Sequence, residues 1–85
     1  MALDKTRFPD AVDAVQINLR LEVCRAEKAA PFPADHLQAA GLVAEGVANA
    51  FRGAIDGNVE AYKAGLIKAA VANIRALVEL EKAGL

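Results

Sequence analysis

Few side chains in this sequence carry chemistry, and their spacing limits what they can do. Cys24 is the only cysteine and His36 the only histidine. A nucleophilic thiol needs a base within hydrogen-bond reach, and the one histidine lies beyond the segment Pro31-Phe32-Pro33. A zinc site would need two or more further histidine, cysteine or carboxylate ligands at matching spacing, and the sequence offers none. There is no glycine-rich phosphate loop, no serine elbow and no Cys-x-x-Cys pair. What remains is a few polar residues set in apolar surroundings. Glu45 is the only formal charge between His36 and Phe51, Asn49 follows it four residues on, and Lys68 interrupts a later apolar run. Residues four apart share a helix face. Glu45 is therefore open to two readings: one member of a site, or an acid paired with Lys68 across a helical hairpin.

Three helical segments must position these residues. The first runs from about Asp10 to Lys28, with Val12, Val15, Leu19 and Val23 on one stripe and Ile17, Leu21 and Cys24 on a second. A helix with two apolar stripes must be covered on two sides. Three helices of one chain supply too little cover, so the sequence predicts association with a second copy, with Ile17, Leu21 and Cys24 in the interface. Pro31-Phe32-Pro33 ends this segment, since proline lacks the amide donor and clashes with the preceding turn. The second segment runs from about Ala34 to Arg52, and its apolar stripe reads Leu37, Ala40, Ala44, Val47 and Phe51. Being nearly free of charge, it is expected to be the most buried of the three. Phe8-Pro9 and Phe32-Pro33 both look like helix starts, with proline presetting the first turn and phenylalanine packing back on it. Asp35 suits the positive end of a helix. Asp56-Gly57-Asn58 is a turn signal, in which either Asp56 or Asn58 suits the cap of the next helix. The third segment runs from about Val59 to Lys82, carries Val59, Tyr62, Leu66, Ala70 and Ile74 on one stripe, and stops at Gly84. Arg75 and Glu79 are four apart and are expected to pair on its exposed side. The short second turn implies an antiparallel hairpin.

Composition agrees with a single helical domain spanning residues 1–85. Of the 85 residues 55% are hydrophobic and 25% charged, which disfavours disorder. Much of the apolar share is alanine, a strong helix former that buries little area. Such a short chain gains little from its own core and has no disulfide pair to help it, so association is the natural remedy. Net charge is −1, and residues 1–28 hold five acids and five bases, leaving no basic patch for nucleic acid. No run is long and apolar enough to span a bilayer. Met1–Phe8 lacks the apolar core of a signal peptide, and a lone cysteine favours the cytoplasm.

The stretch Leu42-Val43-Ala44-Glu45-Gly46-Val47-Ala48-Asn49-Ala50-Phe51-Arg52 resembles the first signature helix of MazG-like nucleotide pyrophosphohydrolases. Tyr62-Lys63-Ala64-Gly65-Leu66-Ile67-Lys68-Ala69-Ala70-Val71 resembles the second. The likeness covers roughly Pro33 to Leu80 and rests on hydrophobic spacing, the alanine before Phe51-Arg52, and the short turn. In that family the first helix carries an E-E-x-x-E pattern and the second E-x-x-D. Magnesium takes hard oxygen ligands, and such acids on facing helices hold ions that neutralise a triphosphate and activate water.

This sequence departs from the pattern at nearly every acid. Glu45 matches the first glutamate, but Gly46, Asn49, Gly65 and Lys68 stand at the others. One carboxylate and one asparagine do not hold a magnesium cluster, so no metal, cofactor or catalytic residue is expected. The resemblance implies a non-catalytic relative that binds a nucleotide, another anionic ligand or a partner protein. Lys68 would offer phosphate a point charge, with Glu45 and Asn49 beside it. Two alternatives stand next to this reading. One is an active magnesium-dependent pyrophosphohydrolase in which other acids, such as Glu60 or Glu79, complete the site. The other is a helical scaffold or oligomerisation module. Three or more carboxylates near Glu45 on facing helices would favour the enzyme; a cavity filled by alanine and leucine, with no room for a ligand, would favour the scaffold. The expected architecture is an all-α antiparallel bundle of about three helices, assembled as a homodimer or higher even oligomer.

Overall fold

A computed structural model describes residues 7–85, and the reading of Met1–Phe8 falls mostly outside them. The chain is all-α and follows the order α1 (Arg7–Ala29), α2 (His36–Ile55) and α3 (Val59–Lys82), with no strand among the described residues. The helix ends are fixed by local chemistry. Asp35 caps α2, its Oδ1 accepting the Leu37 amide at 2.7 Å and the Gln38 amide at 3.4 Å. Asn58, rather than Asp56, caps α3 by accepting the Ala61 amide at 3.0 Å. Gly57 takes a left-handed conformation at φ +68°, which lets the Asn58 amide reach back to the Gly53 carbonyl at 2.9 Å. The same device recurs at Gly84, where the Leu85 amide bonds the Leu80 carbonyl. Asn58 thus ends one helix and starts the next, which holds the hairpin turn to its minimum length.

Proline plays a smaller part than the sequence suggests. Pro33 precedes the α2 cap and lies outside its first turn, and Phe32 lies under the Arg75 guanidinium of α3. Pro9 does lie in the first turn of α1.

Helices α2 and α3 form the antiparallel hairpin expected from the turn, and they pack closely. The seam between them is made of Ala39, Gly46, Ala50 and Gly53 facing Gly65 and Ala72. This corrects the expected core stripe. Leu37 is 83% exposed, Phe51 is 68% exposed, and Val47 also faces outward. The physical reason is distance. Glycine and alanine let the two backbones approach until no large side chain fits between them, so the bulky stripe is turned to the side. α2 has more buried positions than α3, but all of them are glycine or alanine.

Helix α1 packs on α3 and makes no close backbone approach to α2. Leu19, Val23 and Ala26 are half-buried there, while Phe8 and Val15 on the same stripe stay exposed. Ile17, Leu21 and Cys24, the expected interface residues, are exposed on the other side of α1.

The single chain is loosely closed. Its accessible surface is 6745 Å², against about 4,800 Å² for a folded monomer of 8.9 kDa. Its radius of gyration is 14.6 Å, against about 12 Å for a compact chain of this length. Among the described residues no large side chain is fully buried. No described helix is long and apolar enough to cross a membrane.

Candidate functional site

The hairpin brings three of the sequence-selected polar residues to one face. Lys68 Nζ donates to Glu45 Oε1 at 2.6 Å across the α2–α3 seam, and both side chains are about half exposed. Asn49 and Lys68 line one shallow recess of about 360 Å³ with Arg52, Asp56 and Gly65. Arg52 is the residue that the sequence reading left out. Its signal was available, since it follows Asn49 by three positions and so shares its face. Lys68 is paired with Glu45, and Arg52 and Asp56 line the recess alongside it.

The glycines of this region are contact points. A Cβ added to Gly46 would fall 2.4 Å from the Ala69 amide nitrogen, and one added to Gly65 would fall 2.3 Å from that of Ala50. Both are backbone atoms of the facing helix, so neither position admits a side chain without parting the helices. The two positions where the MazG-like pattern has glutamates are therefore filled by the opposite backbone. Among the described residues no group of three or more histidine, cysteine or carboxylate side chains is placed to hold a metal ion. Glu79 lies 3.5 Å from Lys82, and Glu60 sits in the first turn of α3.

Arg75 is the most strongly held polar side chain, and the sequence reading misplaced it. It does not pair with Glu79 on an exposed face. Its side chain is about 10% exposed: Nε donates to Glu27 Oε1 at 3.0 Å, and Nη2 donates to the Ala30 carbonyl at 2.7 Å. The guanidinium also lies 5.0 Å from the Phe32 ring centre. The carbonyl at the end of α1 is one of the unsatisfied groups of a helix terminus, where a cation is favoured. A planar fork with several donors can serve carboxylate, carbonyl and ring together, which a lysine could not. Arg75 thus fastens the end of α1 and the following linker to α3. Cys24 and His36 are both exposed, on α1 and at the start of α2.

Two open grooves flank the hairpin. One, of about 630 Å³, lies between α1 and the hairpin and includes Glu22, Arg25, Ile67 and Val71. The other, of about 690 Å³, lies on the side away from α1 and is lined by Ala40, Val43, Ala44 and Ala76 together with His36 and Glu79. The second groove continues the exposed apolar stripe of α2. At 100° per residue, Ala40, Ala44, Val47, Phe51 and Ile55 fall on one side of α2, and Val59, Tyr62, Leu66 and Leu77 on the same side of α3. None of these carries a charge. The geometry offers a large, mainly apolar surface and a polar recess in which Lys68 is paired with Glu45. No protein-family model, no curated protein and no solved structure matches the chain.

Proposed function

We propose that this protein is a helical self-association module, working as a homodimer or a higher even oligomer. The observation that supports this most directly is the mismatch between its core and its surface. Ala39, Ala50 and Ala72 are the buried hydrophobic residues among those described, while Ile55 and Val59 are 69% and 75% exposed. The chain exposes roughly 1,900 Å² more than a monomer of its mass should. Two copies each covering that excess would bury about 3,800 Å² together, within the range of about 2,000–5,000 Å² of obligate homodimers.

Two apolar surfaces support an even oligomer. One lies on the hairpin, and the other is the Ile17, Leu21 and Cys24 stripe of α1. A two-fold contact through the first gives a dimer, and adding a contact through the second gives a tetramer. The cytoplasm remains the proposed setting, because an exposed lone thiol stays reduced there. The MazG-like resemblance is carried forward as a proposal for the hairpin alone, with no catalytic role attached. Paired charges at Glu45 and Lys68 and close backbone contact at Gly46 and Gly65 favour an interaction module over an anion site.

Sedimentation equilibrium from micromolar to millimolar protein tests this reading. The expected result is a dimeric or tetrameric mass, with a melting temperature that rises with concentration. A monomeric mass throughout, with a concentration-independent melt, would sink it.

A further inference from the structure

From the shape of the hairpin face we infer that two copies meet antiparallel, α2 against α2 and α3 against α3. The inference rests on the self-association reading and deepens it by naming the surface and its geometry.

This largely apolar face is not uniform along its length. At the turn end it carries a ridge of Phe51, Ile55, Val59 and Tyr62, all exposed. At the other end it is a groove of about 690 Å³ floored by Ala40, Val43, Ala44 and Ala76. A two-fold axis lying in the face and running from α2 to α3 sets the ridge of each copy in the groove of the other. On α2 this pairs Phe51 with Ala44 of the second copy and puts Val47 beside the axis. On α3 the same axis passes beside Leu66 and brings Tyr62 opposite Asn73 of the second copy. The level follows from the hairpin register, in which Gly46 meets Ala69 and Gly65 meets Ala50.

The other two-fold arrangement runs along the hairpin. It sets ridge against ridge and groove against groove, leaving the groove unfilled. Charge points the same way. Lys63 lies at the rim of the turn end and Glu81 at the rim of the other end, so the antiparallel arrangement brings opposite charges toward each other. The size suits this one contact: α2 has 20 residues and spans about 30 Å, so two such helices side by side match a standard interface of roughly 800 Å² per partner, and the rest of the excess surface falls to the α1 stripe.

Cysteine cross-linking of the full chain in a Cys24→Ser background tests the geometry, with mass measured by sedimentation beside it. Val47→Cys is expected to link to itself under mild oxidation. Ala40→Cys and Ile55→Cys are expected to link to each other when mixed, and far less when alone. Ala44→Trp fills the groove from a solvent-facing position. It is expected to raise the dimer dissociation constant at least tenfold while circular dichroism shows unchanged helix content. If the chain assembles but Ile55→Cys links instead to Val59→Cys, turn end to turn end, the antiparallel geometry is overturned and self-association stands. If it assembles and none of these links form, the face itself is wrong. If it is monomeric, both the inference and the reading beneath it fall.

Discussion

Gly65 lies against the backbone of Ala50 so closely that a methyl group added to it would stand 2.3 Å from the Ala50 nitrogen and 2.6 Å from its Cα. The hairpin is closed by what these residues lack. Gly65→Ala is expected to destabilise the chain by about 1–3 kcal/mol through overpacking, although alanine is the better helix former. Gly41, also inside α2, meets nothing within 4 Å. Gly41→Ala is expected to stabilise by about 0.5–1 kcal/mol. Denaturant unfolding of both variants checks the pair, and shifts of the same sign would refute the seam.

Arg75 joins α3 to the end of α1 through Glu27, Ala30 and Phe32. Arg75→Met should cost about 2–3 kcal/mol, because a charge-assisted network is lost and the Ala30 carbonyl is left without its donor. Arg75→Lys should recover less than half of that, since a lysine cannot serve three partners at once. Hydrogen exchange should show protection lost first in α1, and equal loss in all three helices would speak against the fastening role.

The Glu45–Lys68 pair is short but half exposed. A double-mutant cycle with Glu45→Gln and Lys68→Met is expected to give a coupling of about 0.2–1 kcal/mol, shrinking as salt is added. A coupling of several kcal/mol that ignores salt would mean the pair is shielded from water in the assembled protein.

Installing the acids of the MazG-like pattern separates sterics from chemistry. Gly46→Glu and Gly65→Glu each drive a side chain into facing backbone, so the quadruple variant with Asn49→Glu and Lys68→Asp is expected to lose its cooperative melt. The double variant Asn49→Glu with Lys68→Asp leaves the seam intact and is expected to stay helical. Thermal melts with and without magnesium decide the matter. A quadruple variant that folds and is stabilised by magnesium would show that the helices can part to admit a metal site.

Leu21 stands out from α1 on the side away from α3. Leu21→Lys is expected to remove any tetramer while leaving a dimer held by the hairpin faces. An unchanged mass would mean the α1 stripe takes no part in assembly, and a monomer would mean α1 carries the main interface.

The helices were legible because their ends are local. Asp35, Asn58 and Gly84 act on amides and carbonyls within a few residues, so the boundaries of α3 follow directly from the sequence. The choice of seam was harder to read. Leu37, Ala40, Ala44, Val47 and Phe51 have proper helical spacing, and so do Ala39, Gly46, Ala50 and Gly53. Ranking by size selects the first set, whereas close backbone approach selects the second. The usable signal was the match of small residues on both helices, at 46, 50 and 53 and again at 65 and 72. Arg75 was not legible at all, because its partner Glu27 lies 48 positions away and no local rule links them.

The small-residue seam also sets an order of events as the chain is made. Alanine and glycine have no rotamers to freeze, and the seam joins helices that are neighbours in sequence, so the hairpin closes with little chain to organise and should close fast. α1 is synthesised first and has no such neighbour. Its fastening waits for Arg75, near the end of α3, and its apolar stripes stay uncovered until then. The segment at greatest risk of premature association on the ribosome is therefore the one that emerges earliest, and a pause in translation before α3 would prolong that exposure.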